Sequence, residues 1–184
     1  MHEIDRVLIT KDRIAARVAE MGRGMAAEIA HASGGDPHVR VVMVPILTGA
    51  IVFVADLIRS MSVQMSVRPI TVTSYPGTST KSQGASIRGE LPTDLAGCHV
   101  VLVDDILDSG RTLGLLRRVI SAQNPASVRI AVLLTKRKPM GREEEVVVEH
   151  SGFEIDDEFV VGYGLDYDGY YRNLPEIVTL KEVR

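Results

Sequence analysis

His99-Val-Val-Leu-Val-Asp-Asp-Ile-Leu-Asp-Ser-Gly-Arg-Thr112 is the most informative stretch of the chain. His99 to Val103 reads as a short buried strand. It runs into the paired carboxylates Asp104 and Asp105, then Asp108, and Ser109-Gly110-Arg111-Thr112 opens a helix. In an open α/β sheet, ligands bind beyond the carboxyl ends of the strands. A glycine-containing turn feeding a helix N-terminus presents free N–H groups that suit a phosphate. A ligand that needs both the cradle and the carboxylates is a phosphorylated sugar, whose hydroxyls the carboxylates accept, with a metal nearby. The plainer alternative is that Asp108 or Ser109 caps the helix and the other acids offset its positive end. Three acids within five positions are more than capping requires.

Working outward, fully apolar strands alternate with helices. Arg40 to Leu47 is an apolar run of strand length, broken by Thr48-Gly49 and followed by Ile51, Val54, Ala55 and Ile58 at helical spacing. This is the start of a βα unit. Before it, Ile14, Val18, Met21, Met25 and Ile29 recur at three- and four-residue steps. Thr10 is the expected N-cap of that helix, and Gly34-Gly35 its end. Arg68 to Tyr75, Val128 to Thr135, Val146 to Glu149, Phe159 to Tyr163 and Ile177 to Leu180 read as further strands, and Thr112 to Gln123 as a helix stopped by Asn124-Pro125. Pro76 to Pro92 is a long polar loop with a short strand near Ile87 to Leu91, and loops of that length are usually functional or mobile. The pattern predicts a parallel sheet covered on both faces. The first helix and the C-terminal segment fall outside the alternation and are expected to pack as a cap.

The 184 residues, 45% of them hydrophobic and 24% charged, read as one α/β domain spanning residues 1–184 and exclude disordered, collagen-like and coiled-coil classes. A net charge of −3, with both signs interspersed, offers no footprint for nucleic acid. Val41 to Ile58 imitates a membrane span, but Pro45, Thr48-Gly49 and Asp56 interrupt it, so no membrane association is expected. The N-terminal residues show no apolar signal core and run toward the first helix. The single cysteine, Cys98, cannot form an intrachain disulfide, and the expected location is cytoplasmic. The five histidines have no spacing that suggests a metal site, and neither a Walker loop nor a dinucleotide fingerprint is present.

The segment from Val101 to Thr112 resembles the phosphoribosyl diphosphate (PRPP) signature of the type I phosphoribosyltransferases. A rival, the Asp-Asp-x-x-Asp motif of isoprenyl diphosphate synthases, lies on a helix of larger all-α proteins and is set aside. Across nearly the whole chain the likeness is to one branch, the hypoxanthine-guanine phosphoribosyltransferases. It rests on Leu47-Thr48-Gly49, on Ser74-Tyr75, on Val101 to Thr112, on Lys136-Arg137, and on Phe153 to Tyr167 with Tyr171-Arg172-Asn-Leu-Pro175. The resemblance implies a type I fold, a central mainly parallel sheet flanked by helices with a small hood from the chain termini.

It also implies purine salvage: transfer of the 5-phosphoribosyl group from PRPP to N9 of a 6-oxopurine, giving IMP or GMP and pyrophosphate. By the same resemblance Asp104 and Asp105 hold the ribose hydroxyls, and Asp108 is the general acid/base at N7. Ser109, Gly110, Arg111 and Thr112 cradle the 5′-phosphate. Thr48 and Gly49 face pyrophosphate, although many relatives carry Lys or Arg where Thr48 stands. Ser74 and Tyr75 belong to a lid, and Arg172 binds pyrophosphate. Lys136 donates to the 6-oxo group, Phe159 stacks on the base and Val160 contributes backbone hydrogen bonds. Mg²⁺ is the implied cofactor, near Asp104, Asp105 and Asp166, and a homodimer or homotetramer is the implied assembly.

Taken singly, Lys136 is a solvated residue in a basic cluster with Arg137, Lys138 and Arg142, Phe159 is core and Asp166 a turn residue. Taken in the order of the family pattern they are functional. Two alternatives stay open: a non-catalytic regulator of the same fold that binds nucleotide and RNA, and an enzyme preferring xanthine or guanine. The regulators commonly have an aromatic residue where Asp108 stands and need a basic face.

Overall fold

The computed structural model describes residues 2–73, 86–88, 90–138 and 140–182. In chain order these form β1 (His2–Ile9), α1 (Lys11–Ala32), β2 (Val41–Leu47), α2 (Ile51–Arg59), β3 (Ser66–Val67), β4 (Ile70–Thr73), β5 (Ser86–Arg88), β6 (His99–Leu107), α3 (Arg111–Ser121), β7 (Ser127–Lys136), β8 (His150–Ile155), β9 (Val160–Val161) and β10 (Ile177–Glu182). The main sheet has the order β5-β4-β2-β6-β7-β8, with β3 also paired to β2. All its pairings are parallel except that of β4 with β5.

Side-chain alternation divides the apolar strands between two cores. Val41, Met43, Val101, Val103, Ala131 and Leu133 face the stripe Ile14, Val18, Met21, Met25 and Ile29 of α1 and Phe53 and Leu57 of α2. Val42, Val44, Ile46, Val100, Leu102, Ile130 and Val132 face Leu113, Leu116 and Ile120 of α3, with Leu95 and Cys98. Cys98 is fully buried. The sheet is thus covered on both faces, as its continuous apolar strands require.

Several expectations change in the folded chain. The first helix is no cap: it packs on α2 and on the main sheet. Thr10 is its N-cap in position, with extended backbone, but its side chain makes no capping hydrogen bond. The hood is instead a three-stranded antiparallel sheet, β1-β10-β9, and β1 is a strand that no local signal marked, registered from His2↔Glu182 to Ile9↔Ile177. Val146 to Glu149 is not a strand: Val146 and Val148 pack against the α3-side core outside any ladder, and the edge strand is His150–Ile155. There Gly152 lies so close to the Leu133 carbonyl, 2.5 Å from where a Cβ would stand, that a side chain would not fit. Of Phe159 to Tyr163 only Val160–Val161 forms a strand, Gly162 making an isolated bridge to Leu165, and of Arg68 to Tyr75 the described strand is Ile70–Thr73. The short strand of the polar loop is Ser86–Arg88. Among the described residues no helix is long and apolar enough to cross a membrane.

Candidate active site

Parallel pairing brings the carboxyl ends of β2, β6 and β7 to one edge of the sheet. β6 does not stop at Val103: it carries the acids within its ladder, with Asp104 opposite Val132, Ile106 opposite Leu134 and Leu107 opposite Thr135. Beyond the edge lies a cleft of about 360 Å³. Its floor is Asp104, Asp105 and Asp108, one wall is Thr48 and Gly49, another is Ser109, Gly110 and Thr112, and Asp166 and Arg172 close it from the C-terminal segment. Ten residues singled out from the sequence therefore line one space.

Gly110 is the N-cap of α3, with φ +84°, a conformation that side chains rarely adopt, and no side chain caps the helix. Asp108 and Ser109 are therefore not its caps, and the plainer reading of this motif fails. The N–H groups of Arg111, Thr112 and Leu113 have no intrahelical acceptor, as in the first turn of any helix. The Arg111 guanidinium turns away from the cleft and pairs with Glu143, leaving that residue only its backbone to offer. Across the cleft the Leu47–Thr48 peptide is cis. A side chain on Gly49 would overlap the Asp105 carboxylate, and one on Gly164 would overlap the Gly49 carbonyl. Three segments distant in sequence are in close packing at this point.

The paired acids are the electrostatic centre. Burial pushes the Asp104 carboxyl well above the usual carboxylate range, and the Asp105 charge adds to it. Burial also raises Asp105, opposed by hydrogen bonding to Asp104 and to backbone N–H groups and by the Arg172 guanidinium. The Asp105 N–H donates to Asp104 Oδ1 at 3.0 Å. Such a pair of oxygen donors, hard to ionise together without a compensating charge, suits a divalent cation such as Mg²⁺. Among the described residues no three acidic, histidine or cysteine side chains converge on one point, so a cation here would complete its shell with substrate oxygens or water. Asp166 is already engaged: its Oδ1 pairs with Arg172 at 2.7 Å and its Oδ2 accepts from the Gly169 N–H at 2.8 Å. Arg172 also donates to the Gly164 carbonyl at 2.6 Å.

An acid whose folded pKa lies above its unfolded value contributes stability below the unfolded pKa, and that contribution is lost as pH rises through the folded pKa. At neutral pH the unliganded pair is thus a burden on the fold. Asp104→Asn is expected to raise the melting temperature of the ligand-free protein at pH 7, by about 2–4 °C for each kcal/mol relieved in a chain of this size. The gain should shrink toward pH 4. Thermal melts across that range check it, and a lower melting temperature at pH 7 would contradict it.

Beside Asp108 stands Lys136, the last residue of β7, which is no solvated loop residue: its side chain is only 13% exposed. Its Nζ lies 3.4 Å from Asp108 Oδ2 and 3.3 Å from Asp157 Oδ1. Lys138 reaches the same two acids, at 2.7 Å from Asp108 Oδ1 and 2.7 Å from Asp157 Oδ2. Those bonds raise the Lys138 ammonium above its ordinary value, and Lys138 chiefly, then Lys136, holds Asp157 below the carboxylate range. Phe159 is 53% exposed, so it is not core, and it meets Tyr167 edge-on with ring centroids 5.6 Å apart. Val160 is buried in the hood, opposite Thr179. Ser74 and Tyr75, the expected lid, lie outside the described residues. Lys138 and Asp157 were not singled out from the sequence. One signal was available, because Lys136 and Lys138 stand two apart at a strand end and so project to the same side.

A ligand edge built from the carboxyl ends of parallel strands, beside a glycine-opened helix, places the molecule in the class of open α/β proteins that bind phosphorylated ligands there. Comparison with known proteins narrows the class. The phosphoribosyl transferase domain family matches residues 12–168. The hypoxanthine-guanine phosphoribosyltransferase of Mycobacterium tuberculosis is 41% identical over 182 residues, covering 97% of this chain and 87% of that protein. The hypoxanthine phosphoribosyltransferase of Escherichia coli is 42% identical over 171 residues, covering 93% and 92%. A solved structure of Trypanosoma cruzi hypoxanthine phosphoribosyl transferase superposes with a TM-score of 0.87 at 32% identity, covering 97% of this chain and 92% of that one. This chain belongs to the phosphoribosyltransferase family, in its hypoxanthine-guanine branch.

Proposed function

We propose that this enzyme salvages purines by transferring the 5-phosphoribosyl group from PRPP to N9 of hypoxanthine or guanine. The observation that carries the reading is one cleft lined by the Asp104–Asp105 pair, the glycine-opened turn and Asp108, with Lys136 standing 3.4 Å from Asp108 beside it. That is a sugar-phosphate end joined to an end with one donor and one acceptor for a base. Asp104 and Asp105 accept from the ribose hydroxyls. The backbone of Ser109 to Thr112, with the Ser109 and Thr112 hydroxyls, binds the 5′-phosphate. Thr48, Gly49 and Arg172 face the pyrophosphate, to which Ser74 and Tyr75 are assigned by resemblance alone.

Lys136 donates to O6, Phe159 stacks on the ring and the Val160 backbone contacts the base. The N9–C1′ bond forms as the bond from C1′ to the pyrophosphate oxygen breaks, and the proton on N7 passes to Asp108. Asp104 and Asp105, with substrate oxygens, would hold Mg²⁺, and the bound ion would supply charge neutralisation for the departing pyrophosphate. Asp166, held by Arg172 and the Gly169 N–H, would lie beside that ion. The working location is the cytoplasm, the working unit one domain, residues 1–184, and the assembly a homodimer or homotetramer.

Pyrophosphate release measured with PRPP and each of hypoxanthine, guanine, xanthine, adenine and uracil tests the assignment, and silence with both hypoxanthine and guanine would refute it. The same assay in excess chelator should fall to background and recover with Mg²⁺ ahead of Ca²⁺, since the smaller ion is the usual partner of carboxylates shared with substrate phosphates. Full activity in chelator would remove the metal from the mechanism.

A further inference from the structure

We propose that Lys138, anchored by Asp157, is the positioning residue that holds Asp108 in its working orientation and leaves Lys136 free for the base. Asp108, Lys136, Asp157 and Lys138 form a ring of alternating charge, each lysine bridging both acids. The bridges are unequal. Lys138 makes hydrogen-bond contacts of 2.7 Å to Asp108 Oδ1 and 2.7 Å to Asp157 Oδ2, whereas Lys136 stands off at 3.4 Å and 3.3 Å. A 2.7 Å ammonium–carboxylate contact has the length of a charge-assisted bond, while one of 3.3–3.4 Å is longer than the usual range of about 2.7–3.2 Å and correspondingly weaker.

Asp108 is thus held through Oδ1 from behind, and Oδ2 is the oxygen left for a ligand. Lys136, loosely held, faces that same oxygen. A purine carrying a proton on N7 and an oxygen on C6 presents a donor and an acceptor side by side. It can give its N–H to Oδ2 and accept from the Lys136 Nζ, exchanging only the loose contact and leaving both Lys138 bonds intact. Without Lys138, the nearest cation to Asp108 in the ring is Lys136, and the two residues meant for the base would satisfy each other instead. Asp157 holds both lysines from the far side. The neighbouring Arg137 takes no part: it points outward to Glu154 and Asp156 at 3.4 Å and 3.3 Å.

The inference rests on the proposed reaction, and its test keeps the two apart. Wild type, Lys138→Met, Lys138→Arg, Asp108→Asn, the double variant Lys138→Met/Asp108→Asn, and Arg137→Met as control are assayed for kcat, KM for hypoxanthine and Kd for PRPP. Lys138→Met should lose on the order of 10- to 100-fold in kcat, the scale of a misplaced catalytic group. It should also raise KM for hypoxanthine and leave PRPP affinity unchanged, and Lys138→Arg should restore most of kcat. In the Asp108→Asn background, Lys138→Met should cost little more, because both changes act through one group. Arg137→Met should match wild type. An unchanged kcat in Lys138→Met, or a full further loss in the double variant, overturns the positioning role while leaving the reaction in place. An inactive wild type overturns the reaction itself and the inference with it.

Discussion

Asp108→Asn should lower kcat by about 10²–10⁴-fold, the usual cost of removing a general acid/base, while PRPP binds as before. The amide keeps the shape and the contact distance but cannot take the N7 proton as the N9–C1′ bond forms. PRPP affinity should survive because the ribose and phosphate partners proposed for it are other residues: Asp104, Asp105 and the turn at Ser109 to Thr112. Asp105→Asn is the contrasting variant. Its side chain packs directly against Gly49 and belongs to the half-buried acid pair on the cleft floor, so it should weaken PRPP binding as well as turnover. Steady-state kinetics with PRPP binding measured by calorimetry separate the two. A helix cap would survive replacement by Asn with a stability loss of only a few tenths of a kcal/mol, and Asp108 is in any case not the cap of α3. Near-normal kcat in Asp108→Asn would strip the residue of its chemical role.

Discrimination between 6-oxo and 6-amino purines is expected to be the other large effect, reaching ~10⁴-fold in kcat/KM against adenine. Lys136 offers three donors and no acceptor, and its side chain is largely withdrawn from water. A 6-oxo group satisfies it. A 6-amino group leaves a buried ammonium facing another donor, an arrangement that costs far more than the loss of one hydrogen bond. The measurement is kcat/KM for hypoxanthine and adenine under identical PRPP and Mg²⁺. Comparable values would show that Lys136 does not read position 6. Lys136→Met should narrow the ratio by lowering hypoxanthine turnover, since the apolar side chain rewards neither substituent.

Much of this site can be read from local chemistry. The run Val101 to Thr112 carries strand, acids, glycine turn and helix start in one continuous segment, so its parts are neighbours by covalent connection alone. The same holds for α1, whose stripe Ile14, Val18, Met21, Met25 and Ile29 is buried as its spacing predicts. Where the reading failed, distant partners decided the outcome. His2 to Ile9 has nothing that distinguishes a strand from a lead-in to a helix, and it becomes β1 only because β10, far along the chain, pairs with it. Val146 and Val148 have the composition of a strand, yet the ladder beside β7 is taken by His150–Ile155, where Gly152 permits close approach to the Leu133 carbonyl.

The sequence by itself determined the alternation of apolar strands and helices, the phosphate-type turn at Ser109 to Thr112 and the acids beside it, because periodicity, turn chemistry and helix termini depend on residues a few positions apart. Tertiary structure alone decided which of those groups meet. Parallel pairing of Leu107 with Thr135 carries Lys136 and Lys138 to Asp108, and the end of β8 brings Asp157 to them. Packing of Gly164 on Gly49, and of Gly49 on Asp105, draws Asp166 and Arg172 to the rim of the cleft. The charge state of Asp104 and Asp105 was equally beyond local reading, since desolvation depends on how much water the whole fold removes from a group rather than on its chain neighbours.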